Sequence, residues 1–168
     1  MEARARVLGH SIHQMLIVFP LGLLGSSIIF DIAYLATHHG KWAEVAFWMF
    51  FVGVISGLIA AVFGLVDWTG IPSDTRAKRI GTLHGLGNVV VVVLFVVSWI
   101  MRRPDPQAPA MLAIVLSLIG VALAVVTGWL GGELVDRLGV GVDEGANVNA
   151  PSSLSRTSGE HGSPPKLV

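Results

Sequence analysis

The chain has no cysteine, few charges and no net charge. Without cysteine there are no disulfides, no thiolate metal sites and no cysteine-ligated iron–sulfur cluster. Charged side chains make up 13% of the 168 residues, against about 25% in soluble domains. Lysine and arginine balance aspartate and glutamate, so there is no basic field to attract nucleic acid. Catalytic signatures are also missing: no phosphate-cradling glycine loop followed by lysine, no nucleophile elbow and no His-Glu-x-x-His. Gly85-Leu86-Gly87 lies inside an apolar stretch and does not read as a dinucleotide turn. No histidine has a glutamate three residues before it, which excludes the paired Glu-x-x-His of di-iron bundles. Nothing here supports an enzyme.

What is present is apolar surface. Apolar residues are 53% of the chain and mean hydropathy is +0.72, which points to a lipid bilayer as solvent. A helix needs roughly 20 apolar residues to cross about 30 Å of hydrocarbon. Four stretches meet that length, and they predict helices over about 9–37, 42–69, 74–102 and 108–138. The charged lead Met1 to Arg6 resembles that of a signal peptide, but the apolar run behind it is long and lacks a small-residue cleavage site, so it reads as a retained helix. The predicted fold is all-α, an up-down four-transmembrane-helix bundle over residues 1–142, followed by a disordered cytoplasmic tail, 143–168.

Turns divide these segments. His39-Gly40 with Trp42 marks the first and Gly70-Ile71-Pro72-Ser73-Asp74 the second, where Asp74, with Ser73 before it, reads as an N-cap. Arg102-Arg103-Pro104 ends the third helix, since proline cannot continue it. Four crossings put both termini on one side, side A, with Arg4, Arg6, Arg76, Lys78, Arg79, Arg137, Arg156 and Lys166. Side B has Lys41, Arg102 and Arg103. The positive-inside rule then places side A in the cytoplasm of a bacterial inner membrane. Trp68 and Trp129 would mark one interface, Trp42 and Trp99 the other. Small residues recur every fourth position at Gly53, Gly57 and Ala61, and at Gly120, Ala124, Gly128 and Gly132, as helix packing in lipid requires. No sequence repeat is evident between the halves.

The candidate site is a polar cluster on side A. His10 and His13 are expected on one helix face, with Asp67 and Trp68 ending helix 2, His84 and Asn88 opening helix 3, and Glu133, Asp136 and Arg137 closing helix 4. Read blandly, these groups bond one another at the interface and pin the helices. Three functional readings compete with that. A b-type haem would take one imidazole on each face, His13 and His84, with His10 as substitute, Gly81, Gly85 and Gly87 making room, and Arg76 or Arg79 meeting the propionates. A divalent metal would use His10, His13 and His84 with Asp67 or Glu133. Asn88 and Trp68 would orient the ligands in either case. The third reading is a proton or solute path through Asp31, the one acid inside the apolar core of a predicted span, although its place near side B also suits a carboxylate reaching to water. His38, His39 and His161 read as solvated loop and tail residues.

The residues then resemble a family. Gly9-His10-x-x-His13, Phe19-Pro20-x-Gly22-Leu23, Asp31, Asp67-Trp68, Arg79 with His84 and Asn88, Gly131 to Val135 and Gly139 to Val142 follow in the order of the bacterial membrane family called domain of unknown function 2231. The resemblance covers about residues 9–142 and implies a four-helix inner-membrane protein. Relatives are sometimes joined to Rieske or c-type cytochrome modules, which by association implies redox partners in the membrane; self-assembly is the other expected partnership. This chain departs from the family's pattern at Ser11 and Gln14, where proline often follows each histidine. It departs again at Asp136-Arg137-Leu138-Gly139, where relatives often carry Tyr-Arg-His-Gly. The cofactor expectation is accordingly haem b, a divalent metal, or none.

Overall fold

A computed structural model describes residues 1–155. Its first eleven residues form no helix. Strand β1 (Arg6–Val7) pairs antiparallel with β2 (His10–Ser11) across Leu8 and Gly9, both at positive φ. The expected helix from residue 9 therefore starts later, at Ile12. The Ser11 hydroxyl accepts from the backbone N–H of Gln14 and caps α1 (Ile12–Leu16). Helix α2 (Val18–Thr37) follows through Ile17, which keeps helical dihedrals, so Ile12–Thr37 acts as one span. His38 closes it in the left-handed conformation.

Helices α3 (Gly40–Gly70), α4 (Arg76–Arg102) and α5 (Met111–Gly132) complete the bundle, and α5 runs into a π-helical turn, Glu133–Arg137. The four spans contain 26, 31, 27 and 27 residues. At 1.5 Å per residue each exceeds a bilayer core of about 30 Å. The cap of α4 differs from expectation. Thr75, not Asp74 or Ser73, accepts from the N–H of Lys78, while Asp74 sits at positive φ in the turn. Thr75→Ala is expected to cost about 1 kcal/mol of stability, read as a lowered thermal midpoint, with the exposed Ser73→Ala close to neutral.

Helices α2 and α3 pack as one hairpin and α4 and α5 as another, with α2 and α4 diagonal to each other. Leu24, Ala46, Phe50, Val91 and Phe95 form the core, where the Phe50 and Phe95 rings meet edge to face at 5.1 Å. Two of the small residues make this close approach possible. A Cβ on Gly53 would lie 2.6 Å from the Leu24 side chain, and one on Gly120 would lie 3.0 Å from the Phe95 ring. Gly128 and Gly132, expected in the same ladder, have nothing within 4 Å of such a Cβ. The outer surface is apolar, with Leu21, Ile29, Leu58, Val62, Leu86 and Val125 exposed. Among helices that satisfy their own backbone, that surface suits lipid.

The N-terminus docks on the end of the bundle. The Met1 ammonium donates to Gly139 O at 3.0 Å, and Arg6 pairs with Asp143 at 3.1 Å and with Glu2. Residues 143–155 run in turns. Arg156, His161, Lys166 and the remainder of the expected disordered tail lie outside the described residues.

Candidate functional site

His13 and His84 come together. Their ring centroids are 6.4 Å apart with planes at 89°. Each ring is fixed by a backbone carbonyl of the helix it packs against. His13 Nδ1 lies 2.8 Å from Ala60 O, and His84 Nδ1 lies 2.8 Å from Thr127 O. A carbonyl only accepts, so Nδ1 carries the hydrogen in both rings, and in the neutral imidazole Nε2 keeps its lone pair. A glycine lies one turn beyond each carbonyl. A Cβ on Gly64 would be 2.8 Å from the His13 ring, and one on Gly131 would be 3.1 Å from the His84 ring. Gly64→Ala must displace the His13 imidazole and is expected to lower the thermal midpoint by several degrees. Gly25→Ala, with open space around it, serves as the control and should match or exceed wild type.

Asn88 supports His84. Its Nδ2 donates to His84 O at 2.8 Å and its Oδ1 accepts from the Thr127 hydroxyl at 3.2 Å. That same nitrogen is 3.4 Å from Nδ1 and 3.3 Å from Nε2 of His84. A group so nearly equidistant from both ring nitrogens lies over the ring face, so it takes neither lone pair.

The other expected members are placed elsewhere. His10 stands in β2, not on a helix face with His13, and its exposed ring bonds Leu8 O at 3.1 Å. The reason is the hairpin: chain reversal at Leu8-Gly9 delays the helix beyond residue 10. Asp67 ties down the N-terminal segment, accepting from Ala5 N at 2.8 Å and from the Ser11 hydroxyl at 3.4 Å. Glu133 pairs with Arg76 at 2.6 Å. Trp68 donates from Nε1 to Thr82 at 3.1 Å, and Lys78 Nζ stands 3.5 Å above its ring while donating to its carbonyl at 2.8 Å. Arg79 is exposed beside Lys78, Thr82 and Leu83, where an open groove runs. Of the glycines expected to make room beside His84, Gly85 faces open space. Gly81 is filled by Ile71 and Trp68, and Gly87 by Thr127. Among the described residues, no three histidine, aspartate or glutamate side chains gather around one point.

Family comparison decides the class of molecule. The model of the family described as "Predicted membrane protein (DUF2231)" matches residues 9–144. The chain belongs to that family. As a DUF2231 protein with four apolar spans, it is a membrane protein whose relatives' description states no activity. No curated protein matches this DUF2231 chain, and no solved structure does.

A second polar cluster, on side B, was not anticipated. Asp31 does not reach to water, and Arg102 is not a loop charge. Both side chains are 0% exposed and form a two-pronged ion pair, Nη1 to Oδ1 at 2.6 Å and Nη2 to Oδ2 at 2.8 Å. The Ser117 hydroxyl donates to Asp31 at 2.9 Å, Arg102 Nε donates to Ser98 at 3.3 Å, and the guanidinium carbon lies 4.6 Å from the Phe50 centroid. The signal was present as Ser27-x-x-x-Asp31 and Ser98-x-x-x-Arg102, each placing a serine and a charge on one helix face. Opposite signs at the same depth in the first and third spans would have suggested the pairing.

Proposed function

We propose that this membrane protein holds one redox-active iron between His13 and His84, as a b-type haem, and carries electrons within a bacterial inner membrane with both termini cytoplasmic. The pairing of two backbone-anchored imidazoles with free Nε2 atoms carries this reading. Metal-bound histidines characteristically give their other N–H to a carbonyl or carboxylate, and both rings are held that way. Two metal–nitrogen bonds of about 2 Å each, plus the rings themselves, place imidazole centroids roughly 6 Å apart, which agrees with 6.4 Å. Two protein ligands alone suit an iron whose other positions are filled by a porphyrin. Arg79, exposed on side A, is free to meet a propionate, whereas Arg76 is engaged by Glu133. When bound, the haem would supply one-electron chemistry; the chain supplies ligand orientation and an apolar surround. The basic residues of the N-terminus and the Gly70 turn support the cytoplasmic assignment.

A bare divalent ion with water completing its sphere is the second reading, favoured by the filling of Gly81 and Gly87, which leaves the pair closely enclosed. Titration of the detergent-purified protein with haemin and, separately, with Co²⁺ tests both. An equimolar Soret shift that His84→Ala abolishes supports the haem. A cobalt absorption band with the same dependence supports the ion. Neither response would reduce the pair to a packing contact and overturn the proposal.

A further inference from the structure

We infer that the chain is a duplicated two-helix hairpin, and that the Asp31–Arg102 pair makes the two copies associate with each other within one molecule. A shift of 71 residues carries His13 to His84, Leu24 to Phe95, Ser27 to Ser98 and Asp31 to Arg102. In the returning helices a slightly shorter shift carries Phe50 to Ser117, Gly53 to Gly120, Ala60 to Thr127 and Gly64 to Gly131. The second hairpin turns earlier, at Arg103-Pro104, which accounts for the difference.

The contacts repeat along with the positions. In each hairpin an imidazole bonds the carbonyl of residue 60 or 127 and rests on the glycine one turn later. In each, the core residue 24 or 95 fills the notch left by glycine 53 or 120. Across the interface the relation also holds. Asp31 of the first hairpin is bonded by Ser117 of the second, and Arg102 of the second lies over Phe50 of the first. Identity survives at the histidines and glycines, whose contacts repeat, and at Ser27 and Ser98, whose hydroxyls bond different partners, Leu24 O and Ala113 O. Low overall identity explains why the repeat is not evident from the sequence.

Equivalent residues therefore face each other at both ends of a pseudo-two-fold axis along the bundle. In a true two-fold pair each residue on the axis meets itself. Two copies of the first hairpin would bury aspartate against aspartate with no cation, which only an added proton could hold together, and two of the second would bury arginine against arginine, which cannot shed its charge. Having opposite charges at the one buried position favours the mixed pair and penalises both like pairs. This inference does not depend on whether the imidazoles hold an ion.

The test is an exchange series in the full-length protein, read by thermal midpoint and by monomer fraction in detergent. Asp31→Arg and Arg102→Asp should each lower the midpoint by more than ten degrees and reduce the monomer. The double exchange D31R/R102D should recover most of both. Adding F50S/S117F, which moves each neighbour with its charge, should recover still more. A double exchange no better than the weaker single variant would overturn the pairing role. A quadruple exchange worse than the double would overturn the equivalence of the hairpins, and so would single variants that behave as wild type.

Discussion

Asp31→Ala is expected to destabilise the bundle by about 3–5 kcal/mol, the usual cost of removing one partner from a buried pair. Arg102 would keep only the hydroxyls of Ser98 and Ser117, each at 3.3 Å, and the Phe50 face. A guanidinium cannot shed its proton, so the charge would remain buried or drag the end of α4 towards side B. Arg102→Ala should cost less, because the carboxyl left behind can take up a proton and still be bonded by Ser117. Replacing both by leucine should return most of the stability, as buried pairs are often exchanged for apolar residues at little loss. Unfolding in detergent should rank these variants wild type near the double leucine, then Arg102→Ala, then Asp31→Ala. If Asp31→Ala unfolds with the wild type, the pair is not a structural element.

Loss of the proposed cofactor is the expected result for His84→Ala, and equally for His13→Ala, with the protein still inserted in the membrane. In the proposed site each ring supplies one of two ligands, and neither has a nearby replacement. His10 is engaged in the N-terminal hairpin, so His10→Ala should retain the cofactor in full. Asn88→Ala should fall between, weakening affinity roughly 10–100-fold, since it only fixes the orientation of His84 and Thr127. A His84→Ala protein that keeps a chromophore would transfer the ligand role elsewhere, and His10→Ala losing it would restore the helix-face pairing that the hairpin breaks.

Much of the fold could be read from the sequence because lipid imposes a simple rule. Backbone groups must be satisfied within a segment, so length and apolar content alone mark the spans, and α3, with no charge between Val45 and Val66, is the plainest case. The ends follow local chemistry and were read less well. Thr75 caps α4 because Asp74 is committed to a left-handed turn, which its residue type permits but does not announce. The pairing of His13 with His84 was anticipated because two opposed ligands must come from different helices, and both residues lie at the side A ends of theirs. His10, Asp67 and Glu133 were grouped with them on the same argument. The structure separates them, because a polar residue at a helix end bonds whatever is adjacent: Leu8, Ala5 and Arg76 respectively. The Asp31–Arg102 pair joins residues far apart in the chain, and an arginine at the last position of the expected helix, beside Arg103-Pro104, was counted with the charges of side B and not as a buried partner.

The most direct measurement is the absorption spectrum of the purified protein, oxidised and then reduced, with metal analysis on the same sample. A Soret band with sharp reduced bands, and iron in equimolar amount, is the predicted result. A well-folded protein without colour or metal, unchanged on adding haemin or Co²⁺, would contradict the account and leave His13 and His84 as a clamp between the two hairpins.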